Sequence, residues 1–106
     1  MRKYLMVLLA VPMISHAAFM NGNTLLSRMN GDSTDRIVAI GYVMGVSDAT
    51  EDILHCSGKS VTSGQSRDVV KKWLEQNPEY RDMAANYLVI QALADAFPCP
   101  KKGKGA

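Results

Sequence analysis

The sequence is short of the residues from which reactive centres are built. Its 106 residues hold two cysteines, Cys56 and Cys99, and two histidines, His16 and His55. The cysteines are too far apart for the C-x-x-C of a redox-active pair. There is no G-x-S-x-G elbow for a serine nucleophile. The glycines of "SGKSVTSGQ" do not meet the G-x-x-x-x-G-K-[ST] pattern of a phosphate loop. No segment of four to eight residues alternates apolar and polar with the β-branched bias of a strand. Charge of one sign is also missing, with 12 basic against 10 acidic residues. The longest apolar run near the start, Tyr4 to Ile14, has 11 residues, whereas a bilayer span takes about 20. These absences speak against an enzyme, a cofactor, a metal centre, a sheet and a membrane span.

What is present at the start is a leader. Arg2 and Lys3 precede the apolar run, and Ser15 and Ala17 flank His16. That order is a secretory signal peptide cleaved after Ala17, so residues 1–17 are expected to be removed and the product to be periplasmic. No cysteine follows that would carry a lipid. Residues 18–100 then form one domain, and 101–106, "KKGKGA", a disordered basic tail. Without leader and tail, 7 bases face 10 acids, so the body is mildly acidic. Nucleic-acid binders show a basic face, and this chain has none.

An oxidising compartment decides what the two cysteines do. In a small exported domain a lone pair is expected to join, giving a Cys56–Cys99 bridge between two helix ends.

The rest reads as helix. Asn21 or Asn23 caps a short one with Leu25, Leu26 and Met29 on its apolar face, ended by Gly31. Asp32 or Ser33 caps a second from about Thr34 to Leu54, with Tyr42, Val46, Ala49 and Ile53 as its buried stripe. Thr62 and Gln65 make a capping box for a third, whose inner face is Val69, Val70, Trp73 and Leu74. Asn77 stops it, and Pro78 opens a last helix running to Phe97. Between Tyr87 and Phe97 only Gln91 and Asp95 are strongly polar, so this helix should be wrapped by the others. The fold class is all-α: a small four-helix bundle, three helices long and one short, with one disulfide.

Two constellations stand out. Asp48, Glu51, Asp52 and His55 fall close together on the second helix, in reach of a divalent metal or of acid–base work. The plainer reading prevails: a wet acidic face ending in a histidine that complements the helix C-terminus, with no metal. Gly41, Gly45 and Ala49 make a small-residue stripe on the same helix. Interior glycine disfavours a helix by about 1 kcal/mol each, so the stripe implies close approach of another helix, within the chain or across a dimer.

Together, "NGNTLL", "GYVMGVSDA" and "VTSGQSRDVVKKWLEQNPEYRDMAANYLVIQALADAFPC" resemble the Rap/Tai-type immunity proteins of type VI secretion amidase effectors. The resemblance covers Asn21 to Cys99. It implies an exported, helical, often dimeric protein that plugs a peptidoglycan amidase, and so a function by binding. The family usually carries two further cysteines; here Met29 and Ala39 stand in their places.

The leading expectation is therefore a periplasmic amidase inhibitor without cofactor. Its projecting elements are the loop that includes Ser57, Gly58, Lys59 and Ser60, and the turn Asn77, Pro78, Glu79 and Tyr80. The alternative is a small envelope stress or chaperone-like factor, which would bind many clients weakly. A metal-dependent hydrolase on Asp48, Asp52 and His55 ranks last.

Overall fold

The fold begins with a backbone tether. In the computed structural model, which describes residues 19–101, Met20 to Asn23 run beside the segment ahead of the last helix. Gly22 N–H donates to the Met83 carbonyl (3.1 Å), Asn23 N–H to Arg81 (2.9 Å), and Ala85 N–H to Met20 (2.9 Å). These bonds satisfy amides that helix starts leave free. Gly22 is required here, since a Cβ would stand 2.6 Å from Leu88 Cδ1 and 3.0 Å from the Arg81 carbonyl oxygen.

Helix α1 spans Gly22–Met29, capped by Asn21, whose Oδ1 accepts from Thr24 N–H at 2.9 Å. Helix α2 spans Ser33–Thr50, capped by Asp32 through Asp35 N–H at 3.0 Å. Helix α3 spans Ser63–Gln76. Its capping box is complete: Gln65 N–H donates to Thr62 Oγ1 (3.1 Å), and Thr62 N–H to Gln65 Oε1 (2.8 Å). A 3-10 turn, Pro78–Tyr80, precedes helix α4, Ala85–Ala96. The all-α bundle with a Cys56–Cys99 disulfide thus stands, the two Cα atoms 4.8 Å apart. No strand and no helix long and apolar enough to cross a membrane occurs among the described residues. The leader 1–17 and most of the tail lie outside them.

Leu25 and Met29 of α1, Ala39 and Val43 of α2, Val70 and Leu74 of α3, and Leu88, Val89 and Leu93 of α4 form one core. Met29 and Ala39, the positions where the resembled family has cysteines, are both buried in it.

Four expectations need correction. The buried line of α2 is Ala39, Val43 and Ser47, spaced by four. Tyr42 and Val46 pack half-buried beside it, but Ala49 is exposed and Ile53 is 72% exposed. The helix also ends at Thr50 instead of Leu54. Asp52 turns left-handed at φ 66°, and its N–H closes on the His55 carbonyl at 2.7 Å. Aspartate tolerates that conformation better than most residues. The last helix does not start at Pro78, because Arg81 and Met83 spend their carbonyls on the N-terminal tether. Nor is it wrapped all round: Tyr87, Gln91 and Asp95 stay exposed along one face.

Tyr42 lies on the flank of α2. Loss of water raises its phenol above its ordinary pKa, and a hydrogen bond with the Asn86 backbone offsets part of that rise.

Candidate protein-binding site

The acidic-histidine cluster is a structural knot. His55 is fully buried rather than surface-exposed at a helix end. Thr50 Oγ1 lies 2.8 Å from the Val46 carbonyl oxygen and 2.8 Å from His55 Nε2. His55 Nδ1 faces Ser57 Oγ at 3.2 Å and Glu51 Oε1 at 3.3 Å. The other carboxylate oxygen of Glu51 accepts from Gly58 N–H at 2.9 Å. One glutamate thus holds both the imidazole and the start of the following loop. Asp48 and Asp52 are exposed, and Asp52 joins this knot only through its backbone N–H. Among the described residues, no three His, Cys, Asp or Glu side chains are placed to hold a metal ion.

This knot shapes the loop that begins at Ser57. Gly58 has φ +80°, a conformation that favours glycine. Ser57 is half-buried against His55, whereas Gly58, Lys59 and Ser60 face water. The disulfide supports the loop from beneath, and Cys56 N–H donates to the Phe97 carbonyl at 2.8 Å.

The turn at 77–80 is fixed by different means. Asn77 Nδ2 donates to the Trp73 carbonyl at 2.8 Å, closing the end of α3. Tyr80 N–H donates to the Asn77 carbonyl (3.1 Å) and Met83 N–H to that of Tyr80 (3.0 Å). The Tyr80 ring stacks on Trp73, with centroids 6.2 Å apart. Pro78, Glu79 and Tyr80 are nonetheless exposed, Tyr80 at 46%. The structure therefore offers an aromatic anchor on a backbone that is already ordered.

Loop and turn do not form one surface feature. The loop borders a depression with Asp48 and Glu51, the turn another with Trp73 and Tyr87, and the two share no residue. The second depression was not foreseen. Its signal was the four-residue spacing of Tyr87, Gln91 and Asp95 on α4, hidden because that helix reads as apolar throughout.

Among the described residues, nothing packs on the two glycines of the α2 small-residue stripe. A Cβ added at Gly41 or at Gly45 would have no neighbour within 4 Å, and Ala49 is exposed. Close packing against another described helix is therefore not why the two glycines are small.

Nothing in this geometry makes a nucleophile, a metal cage or a phosphate cradle among the described residues. It makes a rigid helical body with a preordered turn and an open helix face. No curated protein matches the chain. The family profile of the Rap1a immunity proteins matches residues 21–99, the interval from the cap of α1 to the second disulfide cysteine. The chain belongs to the Rap1a immunity protein family, and its partner is accordingly an effector protein.

Proposed function

We propose that this immunity protein works in the periplasm, where it binds and inhibits a peptidoglycan amidase delivered by type VI secretion. The observation that carries the reading is the turn at 77–80. Its backbone is held by the Asn77 side chain and by four main-chain hydrogen bonds while Glu79 and Tyr80 face outward. An inhibitor gains from such order, because less conformational freedom is lost on docking. Tyrosine at the centre of an interface is a frequent hot spot. The loop residues Ser57, Gly58, Lys59 and Ser60 form a second, separate contact.

The test is inhibition of peptidoglycan cleavage by purified amidase effectors, with pull-down of the same enzymes from periplasmic extract. Tyr80→Ala is expected to weaken the inhibited complex by about 30-fold, the effect of a hot spot worth about 2 kcal/mol. Full cleavage in the presence of the folded wild-type protein would sink the amidase reading. Weak binding to many unfolded clients would favour the chaperone-like role instead.

A homodimer through α2 belongs to the same proposal. Gly41, Gly45 and Ala49 are open, and Ile37, one turn before Gly41, is 70% exposed. Small residues let two helix backbones approach closely. Sedimentation is expected to find a dimer in the wild type and a monomer in Gly45→Glu; a wild-type monomer at all concentrations refutes it.

A further inference from the structure

Beside the turn lies a groove of about 390 Å³ with an unusual lining. Trp73 comes from α3, Tyr80 and Met83 from the turn and the residues after it, and Tyr87, Gln91 and Asp95 from the open face of α4. Three aromatic rings and a thioether thus line the groove together with one carboxyl group, the only acidic or basic side chain in the lining. Tyr87 is 60% exposed, so the groove opens to water.

Asp95 is oriented but not neutralised. Trp73 Nε1–H donates to its Oδ2 at 3.1 Å, and Gln91 Nε2–H to its Oδ1 at 3.0 Å. Both donors are uncharged. No cation among the described residues forms a salt bridge with this carboxylate; the arginine and lysine pairs lie elsewhere. A carboxylate offers about four lone-pair sites, so two remain. The turn and the residues after it add acids that pair with no arginine or lysine among the described residues: Glu79 adjoins Tyr80, and Asp82 adjoins Met83. Arg81, the one base in that stretch, is half-buried and does not line the groove.

Aromatic faces are negative and attract cations, most strongly when a carboxylate completes the site. We propose that this groove receives a basic side chain of the effector protein, arginine ahead of lysine. A planar guanidinium can stack on the exposed ring of Tyr87 or Tyr80 and donate two parallel hydrogen bonds to Asp95, whereas an ammonium acts as a point charge. The occupant rests on the effector-binding reading; the chemistry of the groove does not.

Trp73 is the sole tryptophan in the sequence, so its fluorescence reports on the groove directly. The full chain is titrated with three capped tripeptides, Gly-Arg-Gly, Gly-Leu-Gly and Gly-Glu-Gly. The arginine peptide is expected to give a saturable change that weakens with added salt, and the other two none. Asp95→Asn, which keeps an acceptor for Trp73, should raise the apparent Kd about tenfold. Tyr87→Ala, at a surface position, should raise it about fivefold through the lost cation–π contact. No saturable response to the arginine peptide overturns the proposal, as does an equal response to the leucine peptide. So does wild-type affinity in both variants. A fluorescence change on dilution alone would make a second copy of the chain the occupant, and that too overturns it. Because no amidase is present, failure here leaves the inhibition assay untouched, and failure of that assay leaves this result standing.

Discussion

Replacing Cys56 and Cys99 together by serine is expected to destabilise the domain by about 2–4 kcal/mol. The bridge spans 43 positions in sequence and brings two Cα atoms to 4.8 Å. Closing a loop of that length in the unfolded chain lowers its entropy by about 4 kcal/mol at room temperature in the chain-entropy picture, and native strain reduces the gain. Domains of this size are stable by about 5–15 kcal/mol in all, so the bridge is a large share. Its position adds to the effect. It joins the segment leaving α2 to the end of α4, beside the backbone bond from Cys56 to Phe97. Urea unfolding followed by Trp73 fluorescence measures the change, and the melting temperature should fall by about 4–8 °C per kcal/mol. An unchanged urea midpoint, with both serines confirmed by mass, would mean that the bridge does not stabilise this fold.

The second large effect belongs to His55. His55→Ala is expected to destabilise the protein by about 2–4 kcal/mol, the sum of a buried cavity and of stranded polar partners. The imidazole is fully buried and in contact with Thr50, Ser57 and Glu51. With it gone, Glu51 loses one of the two groups it holds, and the loop after Cys56 loses its anchor. Hydrogen exchange at Gly58 N–H, which donates to Glu51 Oε2, should quicken more than exchange in α3. His55→Gln, which restores some hydrogen bonding, should recover part of the loss. A surface histidine would show neither effect, so a change within about 0.5 kcal/mol would refute the buried network.

Glu51 and His55 also show how far residues can be read in order. As a pattern, Asp48, Glu51, Asp52 and His55 lie on one helix. That regular geometry fails after Thr50, where the chain turns back at Asp52 so that His55 can enter the core. Ile53 and Leu54 are left in water as a result. Apolar periodicity pointed the other way, because it records hydrophobicity and not whether a helix continues. The α2 stripe failed similarly: its true line includes Ser47, a polar residue no apolar count selects. The groove was missed because Trp73 and Tyr87 read as core, although Trp73 is only partly buried and Tyr87 is exposed.

By itself the sequence determined the local and covalent features: helical class, the capping box at Thr62, a choice of two neighbouring caps for each of the first two helices, and the pairing of its two cysteines. Each depends on neighbours a few residues away, or on there being a single possible partner. Tertiary structure alone decided where α2 stops, where α4 begins, which glycines lie open, and that Trp73, Tyr80 and Asp95 meet. Those outcomes are set by contacts between distant segments, such as the Met20–Asn23 tether on residues 81–85, whose geometry exists only once the chain has closed.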